Sequence, residues 1–253
     1  MSLNPQQRLA VEHTQSPLLV VAGAGSGKTR VITEKIAYLV ECGVEPDRIA
    51  AVTFTNKAAR EMRQRSAQLL GAEVAQRLRV STFHALGFAI IREERESLGL
   101  RSGFTIFDPT DVTARVAELL TSEGIKARDY AESIQHQLSH WKGQLLTPDD
   151  AALPQMKGPR QVHAADIFER YNAALRICNA VDLDDLVYLP VRLFEKDQQA
   201  LARWRDQISY LLVDEYQDTN AMQYRLVVQL VGGRGCLTAV GDDDQSIYSW
   251  RGA

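Results

Sequence analysis

A parallel α/β domain interrupted by a helical insert is the fold that the sequence predicts, on three observations. Short apolar, β-branched runs alternate with longer segments of helical periodicity, as parallel strands with crossover helices require. One of these runs passes directly into a glycine-rich turn followed by a helical pattern. Between about residues 89 and 179 the sheet-type runs stop and helical periods take over.

Taken in order, the predicted strands are residues 18–22, 49–54, 78–81, 210–213 and 237–240. Most are near-continuous apolar runs, the pattern of strands covered by helices on both faces. After the first, Val31, Ile32, Ile36, Leu39 and Val40 recur at helical spacing, and Gly43 supplies the stop. In the insert, Val112, Val116, Leu119 and Leu120 mark one helix, and Ile167, Tyr171, Leu175 and Cys178 mark another. Breakers at Gly99, Gly103, Pro109, Gly124, Pro148, Pro154 and Pro159 separate such helices. The expected domains are therefore residues 1–88 with 180–253, and residues 89–179 as the insert. Asp182, Asp184 and Asp185 read as a turn or helix start that returns the chain to the first domain.

A hydrophobic content of 45% in 253 residues, with 24% charged, excludes fibrous, low-complexity and largely disordered chains. The formal net charge of −3 gives no global positive field to attract nucleic acid. Locally the balance differs: between residues 54 and 101, nine Lys and Arg against five Glu leave +4. Such a strip suits a phosphate backbone, and equally a solvated helix face. Cys42, Cys178 and Cys236 form no CxxC pair, which argues against a zinc ribbon or a disulfide framework. No apolar stretch approaches the roughly 20 residues of a membrane span, and residues 1–4 carry no basic segment leading into an apolar one. A cytoplasmic protein with no membrane partner is the expectation. His136 and His140 have the spacing of two metal ligands on one helix, but Gln137 stands where an HExxH base belongs, so they read as a solvated face.

The segment that decides the chemistry runs from Leu18 through Ala22, Gly23, Ala24, Gly25, Ser26, Gly27, Lys28 and Thr29. It is a P-loop in which alanine replaces the first glycine of the G-x-x-x-x-G-K-[ST] form. Its glycines let backbone N–H groups face a phosphate, and the following helix N-terminus favours the anion. Lys28 suits the β- and γ-phosphates, and the Thr29 hydroxyl suits Mg²⁺. A P-loop also needs a carboxylate on a neighbouring strand end, which Asp214 supplies. Glu215 beside it is placed to orient or deprotonate water, so the pair points to hydrolysis. On its own, Asp-Glu after an apolar strand reads equally as a helix N-cap. A GTPase is excluded by Ala59, which stands where the guanine-reading Asp of Asn-Lys-x-Asp belongs.

Two further segments favour an ATPase coupled to a polymer. Residues 54–65 follow a strand and combine Phe54, hydrogen-bonding side chains and clustered arginines. Residues 240–253 hold Gln245, able to sense a γ-phosphate, the aromatics Tyr248 and Trp250, able to stack bases, and Arg251. In isolation the latter string reads as an acidic loop before a buried Trp.

Leu3, Asn4 and Gln7, residues 22–29, 54–59, 81–84, 213–220 and 241–253 together resemble the Q motif and motifs I, Ia, Ib, II and III of UvrD/Rep-type superfamily 1 DNA helicases. Ala22 matches that family's habitual departure from the strict P-loop. The resemblance covers essentially the whole chain. It implies a RecA-like domain, termed 1A, carrying a mostly helical insert, termed 1B, in an ATP-driven translocase that moves 3′ to 5′ on single-stranded DNA. By the same resemblance, Gln7 reads adenine, and residues 22–29 with Arg30 hold the nucleotide. Lys28, Asp214, Glu215, Gln245 and Arg251 are the implied catalytic residues, with Thr29 and Asp214 on Mg²⁺. Phe54, Thr55, Asn56, Thr82, Phe83, His84, Tyr248 and Trp250 line the implied single-strand path. The sequence given stops at motif III, whereas family members continue into a second RecA-like domain (2A, with its insert 2B), so weak hydrolysis and no unwinding are expected of these residues alone. A standalone module that binds single-stranded DNA or a partner without turnover is the alternative, since the same residues serve both.

Overall fold

The computed structural model describes residues 3–121, 130–151, 159–242 and 244. In chain order its elements begin α1 (Pro5–Glu12), β1 (Leu18–Val21), α2 (Lys28–Glu41), β2 (Ile49–Thr53), α3 (Asn56–Leu70), α4 (Ala72–Arg77), β3 (Arg79–Thr82) and α5 (Phe83–Glu93). Next come β4 (Thr105–Phe107), α6 (Pro109–Thr121), α7 (Ala131–Gly143), α8 (Pro148–Ala151), α9 (Pro159–Cys178) and β5 (Ala180–Asp182). The last are α10 (Asp185–Lys196), α11 (Gln198–Gln207), β6 (Tyr210–Asp214), α12 (Ala221–Val231) and β7 (Leu237–Gly241). The chain divides into two compact units, residues 1–86 with 194–253, and residues 87–193.

The first unit is built on a five-stranded sheet of order β1-β7-β6-β2-β3, parallel at every pairing. Each predicted strand is present. Because all five strands run the same way, their C-terminal ends lie along one edge, where open α/β sheets bind ligands. One face is closed by Ile32, Ile36 and Leu39 of α2 and by Ala59 and Met62 of α3, packed on Ile49, Ala51, Tyr210, Leu212 and Val240. Helix starts follow the local chemistry. Thr55 caps α3 by accepting from the Ala58 N–H at 3.1 Å, and Asn220 with Gln223 forms a capping box on α12. α2 instead begins at Gly27, whose φ of +91° is open to glycine and costly for other residues.

The second unit is mostly helical, as expected, but β4 and β5 form a two-stranded parallel ribbon with Thr105 opposite Ala180 and Phe107 opposite Asp182. Three-residue strands are too short for a period-2 pattern to register in sequence. Val112, Val116 and Leu120 of α6, Ile134, Leu138 and Trp141 of α7, and Ile167, Phe168, Tyr171 and Leu175 of α9 make its core. The Trp141 and Phe168 rings stack with centroids 5.8 Å apart. The first division of the chain, between residues 86 and 87, falls two residues from the expected one, and the second falls within α10, between residues 193 and 194, instead of at residue 180. β5 is held by β4, and Val181 and Leu186 pack with Ile91 and Leu100.

Residues 183–184 form a turn and Asp185 opens α10, as expected of Asp182, Asp184 and Asp185, and Asp182 and Asp185 also take part in a buried cluster. The Lys142 ammonium, 1% exposed, lies 2.6 Å from Asp182 Oδ2 and 2.7 Å from Asp185 Oδ1, and the Tyr171 hydroxyl donates to Asp182 Oδ2 at 3.0 Å. The two aspartates also accept each other's backbone N–H groups, at 2.8 and 3.1 Å. Burial pushes Lys142 downward, but the two carboxylates outweigh it and the net shift is upward. Burial and the Asp182 charge push Asp185 up to about 6.

Candidate nucleotide-binding site

The expected phosphate loop leaves the end of β1 as an open turn. Gly23, Ala24, Gly25 and Ser26 are exposed, Gly25 and Gly27 have φ of +71° and +91°, and a Cβ at Gly23 or Gly25 would meet nothing within 4 Å. Residues 23–26 thus leave room for a phosphate chain against the N-terminus of α2. Lys28, in the first turn of α2, is buried, and its ammonium donates to Ala22 O at 3.0 Å and sits 3.4 Å from Asp242 Oδ2. The main chain is tied across the sheet edge by the Ala22 N–H, which donates to Gly241 O at 3.0 Å.

Asp214 closes β6 and is buried, and its Oδ1 accepts the Glu215 N–H at 3.1 Å. Burial first, and the adjacent Glu215 charge second, push its carboxyl up to about 6, while Lys28 and Arg65 pull it down. Glu215 adopts φ 53° and ψ 48°, a left-handed backbone uncommon outside glycine, so the chain turns sharply where the side chain leaves the sheet. Its Oε2 accepts from Gln217 Nε2 at 2.8 Å, and Gln217 Oε1 accepts the Asp242 N–H at 3.0 Å. Gln217 thereby bridges the end of β6 to the end of β7. The bridge requires glycine at 241, where a Cβ would lie 2.3 Å from both Gln217 Oε1 and a Tyr216 ring carbon.

Gln7 reaches this loop from α1. Its Nε2 donates to Ser26 O at 2.9 Å, while its Oε1 accepts the Asn4 N–H at 3.0 Å within the helix's capping box. Thr29 and Arg30 are half-buried in the first turn of α2, and Arg30 Nε lies 3.4 Å from Glu34 Oε1. Gln7, residues 22–30, Asp214 and Glu215 therefore lie at one sheet edge. Gln217 and Asp242 join them, although sequence reasoning gave neither a role. The signal present was their position just after Asp214-Glu215 and just after the last strand. Gln245, Tyr248, Trp250 and Arg251 lie outside the described residues.

The residues expected on a single-strand path occupy the ends of β2 and β3 on the same edge. Thr55, Asn56 and His84 are exposed and Phe54 is half-buried. Thr82 and Phe83 are buried, and Thr82 Oγ1 accepts the Ala85 N–H at 3.2 Å at the start of α5. Phe83 is only 2% exposed, so its side chain packs in the protein interior. The basic strip is also less uniform than its charge count. Arg63 donates to Val80 O at 2.5 Å, Arg79 donates to Asp47 O at 2.8 Å, and Arg77 pairs with Glu45 at 2.7 Å. His136 and His140 are exposed, and among the described residues no group of three or more His, Cys, Asp or Glu is placed to hold a metal ion. No described helix is long and apolar enough to cross a membrane.

The family model described as the UvrD/REP helicase N-terminal domain matches residues 3–253. The chain is 51% identical over 256 aligned residues to the ATP-dependent DNA helicase Rep of Escherichia coli K12, covering all of this chain and 38% of that protein. It is 52% identical to the protein of the same name from Salmonella typhimurium, with the same coverage. It is 45% identical over 253 residues to the ATP-dependent DNA helicase PcrA of Leuconostoc citreum, covering 99% of this chain and 34% of that protein. The chain thus spans little more than a third of the length of these relatives. With a parallel sheet that gathers the motif residues at one edge and a match along nearly its whole length, the chain belongs to the UvrD/REP helicase N-terminal domain family.

Proposed function

We propose that these residues form the ATP-binding and single-stranded-DNA-binding N-terminal part of an ATP-dependent 3′–5′ DNA helicase. The observation that carries this is the convergence of Lys28, Asp214-Glu215 and Asp242 at adjacent strand ends, beside the strand ends that bear Thr55, Asn56 and His84. In this reading the loop from Gly23 to Gly27 receives the phosphates on its backbone N–H groups, and Lys28 leaves Ala22 O and Asp242 to neutralise the β- and γ-phosphates. Gln7 turns its amide from Ser26 O to the adenine edge. Thr29 and Asp214 would hold a magnesium ion, which would supply positive charge against the phosphates. Glu215, steadied by Gln217, orients the attacking water and accepts its proton. Gln217 also joins this carboxylate to the end of β7 through the Asp242 N–H. Thr55, Asn56 and His84 contact the strand's backbone and bases, and Phe83 supports them from the interior.

Arginines from a second RecA-like domain complete the site in the longer protein, a contribution worth about 10³–10⁵ in rate where such fingers are known. Hydrolysis by these residues alone is therefore slow, and unwinding needs the remainder. The test compares ATP consumption, with and without single-stranded DNA, by this chain and by a chain extended through the second domain. The expected outcome is strong DNA stimulation only in the extended protein. There Glu215→Gln lowers turnover by about 10²–10⁴ and leaves ATP binding intact. Stimulation by a small metabolite, with none by DNA, would sink the proposal.

A further inference from the structure

α1 is only eight residues long, and Val11 is its one buried residue, so neither length nor packing holds it in place. It is fixed at its two ends. At the N-terminal end Gln7 joins the phosphate loop through Ser26 O. At the other end lies Lys35 of α2, whose side chain is 0% exposed. Its ammonium donates to Ala10 O at 2.8 Å and to His13 O, two carbonyls at the C-terminal end of α1. Such carbonyls have no partner within their own helix, and a cation there also meets the negative end of the helix dipole. The Tyr210 ring centroid lies 5.6 Å from the same nitrogen. Among the described residues no carboxylate pairs with Lys35. Burial lowers its amine to about 8, which leaves it protonated at neutral pH.

Burying a lysine against two carbonyls and a ring face, with no countercharge among the described residues, costs free energy that its hold on α1 must offset. We propose that Lys35 is a positioning residue for nucleotide recognition: by clamping the C-terminal end of α1 to α2, it holds Gln7 at the phosphate loop and so sets selectivity for the adenine base, while taking no part in gripping the phosphates. This rests on Gln7 reading adenine. Lys28 and Lys35 lie seven positions apart on α2, about two turns, so the phosphate grip and the clamp share one rigid rod.

The test measures dissociation constants of ATP and of inorganic tripolyphosphate, each with Mg²⁺, for this chain and its variants. Lys35→Met is expected to weaken ATP about tenfold and tripolyphosphate less than twofold, and Lys35→Arg, which keeps a long donating cation, to restore ATP to within about threefold. Added to Gln7→Ala, Lys35→Met produces no further loss of ATP affinity, because the contact it supports is already gone. Equal losses on the two ligands, or additive effects of the two substitutions, would show a merely structural lysine and overturn the inference. Should Lys35→Met not fold, Lys35→Gln retains one donating amide and is expected to lose about threefold on ATP and nothing on tripolyphosphate; equal losses again overturn it. If Gln7→Ala spares both ligands, the assignment of Gln7 fails and the role of Lys35 with it. If Gln7→Ala is selective for ATP and Lys35→Met is not, the role of Lys35 alone fails.

Discussion

Among the described residues each unit buries one lysine completely, and the two are solved in opposite ways. Lys142 in the helical unit meets two aspartates and is pushed up in pKa, whereas Lys35 in the sheet unit meets two carbonyls and the Tyr210 ring and is pushed down to about 8. Lys142 ties α7 to β5 and the start of α10, about forty residues further along the chain. Lys35 ties one short helix to its neighbour. A charge buried with countercharges fixes a fold, while a charge buried with carbonyls fixes a local element, and that element carries a proposed ligand contact. The difference also predicts where each unit is vulnerable.

The largest effect falls on Lys142. Lys142→Met strands two buried carboxylates, and losing one partner of such a network costs about 3–5 kcal/mol. Chemical denaturation should show the helical unit losing stability, and the loss should shrink near pH 5, where Asp185, already raised to about 6, takes up a proton. A loss below 1 kcal/mol at neutral pH would show that the pair is no better than its hydrophobic replacement. A smaller effect follows at Lys35, where Lys35→Met leaves two carbonyls unpaired at about 1–3 kcal/mol. The smallest is a pH effect that separates the two lysines. Because the folded value of Lys35 lies below that of an unfolded lysine, the unfolded chain binds the extra proton between about pH 8 and 10.4, so its contribution to stability rises with pH in that window. Lys142 is shifted the other way, so its contribution stays intact across the same window. Comparing wild type with Lys35→Met from pH 8 to 10 should therefore flatten an upward slope; an unchanged slope would contradict the assignment.

The strands of the sheet were legible because burial on both faces leaves an unbroken apolar run, and the phosphate loop because its glycines and lysine are fixed by backbone geometry. The division at 86/87 was legible to within two residues, but the second, inside α10, was not. It depends on Val181 and Leu186 packing against Ile91 and Leu100, contacts between segments distant in sequence. The turn and helix start at residues 182–185 were legible locally, but their pairing with Lys142 was not, since Lys142 lies forty residues upstream of Asp182. Gln217 and Asp242 had a visible place in the motifs, but the bridge between them exists only once β6 and β7 pair. Phe83 shows the reverse limit: its motif position put it on the DNA path, while the turn from β3 into α5 sends its ring inward. Lys35 gave no signal at all, because a lysine in a helical pattern reads as solvated surface.

The central claim is that the edge formed by Lys28, Asp214 and the glycine loop is a nucleotide site. Titration calorimetry of ATP with Mg²⁺ into this chain, alongside Lys28→Ala, tests it directly. Wild type should bind one equivalent. Lys28→Ala should bind about tenfold to a hundredfold more weakly, the worth of a charged hydrogen-bonding partner, in protein that still unfolds cooperatively. Equal binding by the two proteins, or none by either when both are folded, would contradict the account.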